Sequence, residues 1–513
     1  MLKIKIMSLA TIFTRASIGI QAPQINVEVH ISNGLPGFVL VGLPEATVKE
    51  AKDRVRSAII NSGFTFPAKK ITVNLSPADL PKEGSRFDLP IAIAILAATQ
   101  QIPSDNLSKY EFLGELALSG EIRAVKGAIP AALSSQKKQR SLIISAENQS
   151  EISLIHQGNT LITNNLVEVC QHLTQEISLP LVAYREYHNG NDTLANLQDI
   201  IGQEHAKRAL EIAAAGGHNL LLIGPPGTGK TMLATRLTSL LPPLSDAEAL
   251  ESAAITSLVS SNGSIQNWRK RPFRSPHHSA SIAALVGGGS IPKPGEISLA
   301  HNGVLFLDEL PEFNRKVLDA LREPIESGEI IISRANAKIK FPARFQLIAA
   351  MNPSPTGHYQ GTHNRTTPQQ IIRYLNRLSG PFLDRFDISI EVPLLPKGAL
   401  RQRAIKSEST EIVKERVLRA RNIQMERNKK LNSQLTSNDI QLYCQLSDED
   451  NEYLEQTLIK LGLSARAWHR ILKVSRTIAD LELSENIERK HLSEALSYRS
   501  MDRLLIQLHK NIG

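Results

Sequence analysis

The chain reads as an α/β protein in three parts: an N-terminal α/β domain over residues 1–175, a central α/β nucleotide-binding core over 198–395, and a helical domain over 396–513. Three observations predict it. Residues 220–231, LLLIGPPGTGKT, run from an apolar segment into a glycine-rich turn that ends in Gly-Lys-Thr. Residues 304–309, VLFLDE, repeat the apolar run and finish it with two carboxylates. From about Pro396 onward the apolar residues recur at helical rather than alternating spacing. A length of 513 residues also calls for about three cores of ordinary size.

Composition narrows the class. An apolar content of 42% with 21% charged residues is normal for a soluble globular protein. No window of about 18 uninterrupted apolar residues occurs, so no membrane span is expected. The opening MLKIKIMSLATIF is short and mixed and lacks a small-residue cleavage site, which argues against a secretory signal; Met7 offers a second start position. Cys170 and Cys444 are far apart, so neither a disulfide framework nor a cysteine metal site is indicated, and a reducing cytoplasm is expected. A net charge of +9 and a pI near 9.4 favour a polyanionic partner.

In the first 175 residues, Val27–Ile31, Gly37–Val41, Ile71–Leu75 and Leu142–Ile144 read as strands, and Ala46–Ser62 and Leu89–Ala98 as helices. The text from Pro77 to Gln136, including PADLPKEGSRFDLP and FLGELALSGEIRAVKGAIP, resembles the Lon-protease-like (ribosomal S5-like) domain. It resembles more closely the non-proteolytic version found in magnesium-chelatase-like ATPases. Aligned on Pro-Lys-acidic-Gly, the family's serine position falls on Arg86 and its lysine position on Ile129. A Ser–Lys dyad needs a hydroxyl and an amine in contact, and neither stands there. Ser85 and Lys126 leave a shifted dyad as an alternative, but such geometry does not tolerate slippage. A structural or partner-binding domain without its dyad is expected. Residues 176–197, with Asn-Gly-Asn-Asp, read as a turn-rich bridge.

The central core carries the chemistry. Gly224, Pro225, Pro226, Gly227, Thr228, Gly229, Lys230 and Thr231 fill the pattern G-x-x-x-x-G-K-[ST]. Its glycines let backbone N–H groups approach phosphates, Lys230 reaches the β/γ-phosphates, and Thr231 ligates Mg²⁺ at the positive end of the following helix. In VLFLDE, Asp308 completes the Mg²⁺ shell and Glu309 polarises the attacking water. ATP and Mg²⁺ are therefore the expected cofactors. The preceding text, DIIGQEHAKRALEIAAAGGHN, resembles the opening of an AAA+ core. Ile200–Ala215 has helical spacing, and the resemblance implies that Ile201 and its neighbours Gly202 and Gln203 border the adenine.

Between the two motifs, residues 252–301 read as an insertion, corresponding to the helix-2 insertion in AAA+ terms. It carries Arg269, Lys270, Arg271 and Arg274 without an acid among them. Two readings stay open: a solvated face, or a DNA-backbone contact with Gly287–Gly289 as a flexible tip. His277 and His278 lack ligand spacing and read as polar contacts. Glu312–Glu326 has helical spacing, and residues 328–342 read as a β-hairpin that turns at Arg334 and the Ala-Asn-Ala after it. Ile339 and Phe341 share one face of its return strand, Lys338 and Lys340 the other. The hairpin resembles the pre-sensor-1 hairpin of AAA+ motors that pull on DNA, which implies that Arg334, Lys338 and Lys340 would line a basic pore. Phe345–Ala350 reads as a buried strand, and the resemblance makes Asn352 the sensor-1 amide.

The stretch PSPTGHYQGTHNRTTPQQIIRYLNRLSGPFLDRFDISIEVP resembles the ComM (YifB) family of magnesium-chelatase-like AAA+ ATPases, and with the N-terminal domain the resemblance covers nearly the whole chain. Many relatives carry cysteines where this chain has Ser354, Thr356, His358, His363 and Thr366, a poor set for structural zinc. Arg385 matches the arginine finger, which acts on the next subunit's nucleotide and so implies a ring; a surface arginine paired with Asp384 or Asp387 is the alternative. Residues 401–428 and 463–480 read as lid helices, with Arg466 matching the sensor-2 arginine, and IERKHLSEALSYR as the last helix. The resemblance implies a hexameric DNA helicase driving branch migration of recombination intermediates, including in natural transformation. A chelatase-type chaperone acting on a protein partner is the second reading, and the missing dyad argues against a protease.

Overall fold

The structure, a computed structural model, describes residues 9–42, 45, 48, 50–187, 196–260, 267–289, 291–334, 337–357, 366–396, 408–463 and 465–510. The N-terminal domain is built on a seven-stranded sheet of β1 (Leu9–Arg15), β2 (Gln24–Ser32), β3 (Gly37–Val41), β4 (Lys70–Ser76), β5 (Tyr110–Leu113), β6 (Ser141–Ser145) and β7 (Leu161–Thr163). Their spatial order is β3-β4-β2-β1-β5-β6-β7. Buried residues alternate with more accessible ones along β2, β4 and the first six residues of β1, which gives each one core face. The opening text, read above only for targeting signals, thus supplies a central strand. Helix Asp88–Ala98 is apolar all round and every residue in it is buried. Helix Ala51–Asn61 lies within the predicted span Ala46–Ser62. The bridge is partly domain: Val182 donates its N–H to Thr160 O and Pro180 O accepts from Ile162, so the first half lies along β7.

Within this domain α1 (Ala128–Lys137) is the docking helix. Its Ala128, Ala131 and Ala132 share one apolar cluster with Ala249, Ala253, Ala254 and Trp268 of the core. The Gly127 N–H donates to Ser257 O at 2.7 Å across the same junction.

The core begins with α2 (Glu204–Gly216), β8 (Leu220–Ile223), α3 (Lys230–Leu240) and α4 (Asp246–Ser257). It continues through β9 (Phe273–Arg274), β10 (Val304–Leu307), the hairpin β11 (Glu329–Arg334) and β12 (Ala337–Pro342), β13 (Gln346–Met351) and β14 (Ile388–Glu391). The sheet order is β9-β10-β13-β8-β14, every pair parallel. Every residue of β8, β10 and β13 is buried, as expected of parallel strands covered on both faces.

Two readings of residues 252–301 need correction. Phe273 and Arg274 form the edge strand of the core sheet, so the span is only in part an insertion. Gly287 and Gly288 pair with Pro294 and Lys293. A Cβ on Gly287 would stand 2.3 Å from Lys293 O and 2.7 Å from Ile332, so this glycine permits close packing beneath the hairpin rather than forming a loop tip. The predicted helix 312–326 is two short helices, Arg315–Ala320 and Arg322–Ser327.

The C-terminal part contains α5 (Thr410–Asn428), α6 (Ala465–Leu481), α7 (Arg489–Ser497) and α8 (Ser500–Lys510). The sequence reading ended at α7. The further helix α8 returns to the core, where Met501, Leu504 and Leu508 join the cluster of Leu221, Ile223 and Leu347. Ser389 of β14 ties that return by donating its N–H to Tyr498 O and accepting from the Met501 N–H.

A candidate nucleotide site at the sheet edge

Strand β8 delivers the phosphate loop to the carboxyl edge of the parallel sheet, where open α/β sheets place ligands. Gly224 lies so close to β14 that a Cβ there would stand 2.2 Å from Val392 O. Gly227 and Gly229 have φ values of 78° and 87°, and a Cβ on either would meet nothing within 4 Å. The loop is therefore anchored at its start and open over its crest. Lys230, 8% exposed, folds back to donate to Gly224 O at 2.7 Å, Pro225 O at 2.8 Å and Asn352 Oδ1 at 3.2 Å. Burial holds its pKa below the ordinary lysine value, with the charge of Asp308 working the other way.

Thr231 donates its hydroxyl to Asp308 Oδ2 at 2.7 Å, so the two residues predicted to share a cation already share a hydrogen bond. A hydroxyl beside a carboxylate is a hard oxygen pair that fits Mg²⁺. Glu309 follows with φ of 52°, a left-handed conformation uncommon for a side-chain-bearing residue and frequent at functional sites. Its carboxylate meets His278 Nδ1 at 3.0 Å. Ile201 is 39% exposed, and Gln203 beside it donates to Pro393 O at 2.7 Å, adjacent to the Val392 that abuts Gly224. The structure thus brings together the loop, Lys230, Thr231, Asp308, Glu309 and Asn352.

Arg385 is elsewhere. Its carbonyl accepts from Asn219 Nδ2, and the N–H groups of Asp387 and Ile388 bond Asn219 O. Asn219 precedes β8, whereas the phosphate loop follows it, so Arg385 is anchored at the opposite edge of the sheet from its own chain's loop. Its guanidinium pairs with Glu326 at 2.5 Å, not with Asp384 or Asp387. Arg466 contacts Asp384 at 3.4 Å and Arg470 contacts it at 2.8 Å, which places the predicted sensor-2 residue beside Arg385. Burial opposes the charge of Asp384, but hydrogen bonds and charge from Arg470 and Arg466 hold its carboxyl below the usual range.

The insertion's cations are engaged within the chain. Arg269 pairs with Asp246 at 2.5 Å, and Arg274 takes Glu296 in a fork at 2.6 and 2.7 Å. Arg271 donates to Pro242 O and Asn302 O, both at 2.7 Å, and burial lowers its pKa. Lys270 also has a partner. The hairpin has the predicted register, with Ile332 opposite Ile339 and Ser333 opposite Lys338. Ile339 and Phe341 are buried, while Lys338 and Lys340 are exposed and Lys340 pairs with Glu329. Arg334 ends β11, and its side chain lies outside the described residues.

In the N-terminal domain Ser85 donates to Glu115, Arg86 is buried and donates to Lys126 O, and the Lys126 side chain is exposed. Neither the direct nor the shifted dyad is assembled. His358 and His363 lie outside the described residues, Ser354 is buried, and no group of three His, Cys, Asp or Glu suited to a metal stands together among the described residues. No helix among them is long and apolar enough to cross a membrane.

Sequence comparisons follow the same division. Family models described as magnesium chelatase subunit ChlI match residues 27–148 and 196–400, and one for the ChlI C-terminal part matches 407–499. The competence protein ComM of Haemophilus influenzae is 64% identical over 98% of this chain and 99% of its own length. The YifB protein of Salmonella typhimurium is 63% identical over the same shares of each chain. A magnesium-chelatase 38 kDa subunit of Cereibacter sphaeroides is 28% identical over 38% of this chain and 57% of its own. With relatives this similar from end to end, and with the ChlI match running through both the N-terminal domain and the nucleotide core, this chain belongs to the ComM family of magnesium-chelatase-like AAA+ proteins.

Proposed function

We propose that the protein is an ATP-driven DNA translocase that works as a hexameric ring in the cytoplasm and drives branch migration of recombination intermediates, including during natural transformation. The observation that carries this reading is the split site: the hydrolytic residues gather at one edge of the sheet while Arg385 is anchored at the other. A chain so arranged offers its arginine to a neighbour's nucleotide, and repetition of that contact closes a ring. Thr231 and Asp308 would hold Mg²⁺, which neutralises charge building on the phosphoryl oxygens. Lys230 binds the β/γ-phosphates, Glu309 accepts the proton of the attacking water, and Asn352 hydrogen-bonds the γ-phosphate or that water. Arg466, beside Asp384, acts from the same edge as Arg385.

The DNA contact rests on the hairpin, whose Lys338 and Lys340 face outward on a strand that Ile339 and Phe341 anchor in the core. The printed name of the 64% identical relative connects the family to competence. The internal pairing of Arg269, Arg271 and Arg274 gives the second reading, a chaperone that remodels a protein partner, its own support.

The deciding experiment is unwinding of a four-way DNA junction by the full chain with Mg²⁺ and ATP. Glu309→Gln should bind nucleotide and DNA yet lose turnover by about 10²-fold or more. The pair Lys338→Ala and Lys340→Ala should lose unwinding and DNA stimulation of ATP turnover. Normal unwinding by that pair would remove the hairpin assignment, and stimulation by a protein substrate alone would favour the chaperone.

A further inference from the structure

We infer that the N-terminal domain is the seat of the hairpin, with Gly19 as the positioning residue at the contact; the inference rests on the reading of β11 and β12 as the strands that grip DNA. Residues 16–23, which connect β1 to β2, reach from their own domain to β12. Gly19 among them is buried with φ of 57°, and a Cβ there would stand 2.9 Å from Ile339 Cγ2 and 3.8 Å from Lys340 O. Ile18 and Ile20 on either side pack against the cluster that holds Ile339 and Phe341. Ile332 stands opposite Ile339 on the same buried face, and Gly287 of the core comes as close to it, with a Cβ 2.7 Å away. The apolar face of the hairpin thus rests on two glycines, one from each domain. A two-stranded ribbon is marginal alone, so its position depends on what that face rests upon.

The connection is rooted in its own domain. The Ala16 N–H donates to Pro23 O at 2.9 Å and closes the loop, and Ser134 Oγ of α1 donates to Gln21 O at 2.7 Å. Arg15 donates to Ala22 O at 3.3 Å while it holds the buried Glu111 at 2.5 and 2.6 Å. Arg86, where the family's serine would stand, joins this loop to the second point of contact. Its guanidinium donates to Arg15 O at 3.5 Å and to Lys126 O, next to the Gly127 that bonds Ser257 O. A Cβ on Gly127 would stand 3.2 Å from Leu258, a member of the hairpin's own cluster. Lys293, whose neighbour in the pairing is Gly288, also reaches across to Glu83 at 3.3 Å. The position of the lost dyad is therefore part of a joint between the domain and the hairpin's base. Any displacement of Ile339 moves Lys338 and Lys340, which flank it on the strand's other face.

The test compares Gly19→Asn with Gly63→Asn in the full chain. Asparagine tolerates the left-handed region, and φ is positive at both sites, 57° and 84°, but a Cβ on Gly63 meets nothing within 4 Å. Without DNA, hydrogen exchange across residues 329–342 should quicken about 10-fold or more in Gly19→Asn, with the phosphate loop at 224–231 exchanging as in the parent. Four-way-junction unwinding should fall by about the same factor, because displaced lysines lose phosphate contacts, while ATP turnover without DNA stays parental. Gly63→Asn should match the parent in all three measurements, and Gly19→Ala, a smaller intrusion, should give the pattern of Gly19→Asn at lesser size. Parental exchange in the hairpin of both Gly19 variants, equal changes in Gly19→Asn and Gly63→Asn, faster exchange with normal unwinding, or a matching loss of ATP turnover without DNA would overturn the seat. The outcomes separate the two readings. Normal unwinding by Lys338→Ala with Lys340→Ala removes the hairpin's DNA role itself; loss of unwinding by that pair, with Gly19→Asn parental throughout, removes only the seat.

Discussion

Among the described residues Lys82 and Lys230 are both buried and held by backbone carbonyls, and only Lys230 belongs to a candidate site. Lys82 in the N-terminal domain is wholly inaccessible and donates to Gly42 O at 2.8 Å and to Pro77 O. Lys230 is almost as buried and donates to Gly224 O and Pro225 O. Burial lowers the pKa of both. The difference is what lies beyond the ammonium. Around Lys230 the turn opens over Gly227 and Gly229, a hydroxyl–carboxylate pair stands on the next strand, and an amide is one of its three acceptors. Around Lys82 the chain closes: Gly42 sits so near β4 that a Cβ would strike Leu75 O at 2.2 Å. A buried cation marks chemistry when it opens onto room for an anion; otherwise it ties backbone together.

That contrast can be broken most sharply by mixing chains. Lys230→Ala and Arg385→Ala should each lower ATP turnover by about 10³-fold or more on its own. An equimolar mixture should recover part of the activity, because one variant's intact loop then meets the other's intact arginine. No recovery from co-assembled chains would place Arg385 in its own subunit's site. A smaller effect is expected at the structural lysine. Lys82→Met leaves two buried carbonyls without a donor and should cost about 1–3 kcal/mol for each, read as a lower midpoint in urea unfolding, with the affinity for ATP unaltered.

A pH-dependent effect concerns a buried acid of the same domain. Glu151 is fully buried, accepts from Asn148 Nδ2 at 2.6 Å, and burial pushes its pKa up to about 8 from 4.5. Between those values the folded chain holds a proton that the unfolded chain has released, so stability falls as pH rises through the window. The contribution is fully present below about pH 4.5 and lost above about pH 8. Glu151→Gln keeps the bond to Asn148 and should flatten the fall; an unchanged slope of thermal midpoint against pH would show that Glu151 does not titrate there.

Much of this could be read before folding because the signals are local. The phosphate loop needs a strand, three glycines and a lysine in one run of text, and the hairpin needs only period-two alternation across a short turn. Those elements appear where the text puts them. Strand β1 was hidden in a short, mixed opening segment weighed only against a targeting signal, and β9 in a stretch dominated by charge; both have their meaning through partners far away. The arginines of the insertion looked like a binding run because their acids, Asp246 and Glu296, lie some twenty residues off in either direction. His278 carried no signal beyond a paired histidine. Its contact exists because two parallel strands end in register.

By itself, then, the sequence determined the chemistry on offer: a phosphate loop, a paired carboxylate strand, an alternating basic hairpin and a domain whose dyad positions hold arginine and isoleucine. Each is a property of neighbouring residues and their spacing. Which groups meet was decided only by the tertiary structure. It set Arg385 at the far edge from its own loop, closed Lys82 while leaving Lys230 open, returned α8 to the core, and laid His278 beside Glu309. Those outcomes depend on sheet order and strand register, which are fixed by burial of both faces of the central strands and by no short run of residues alone.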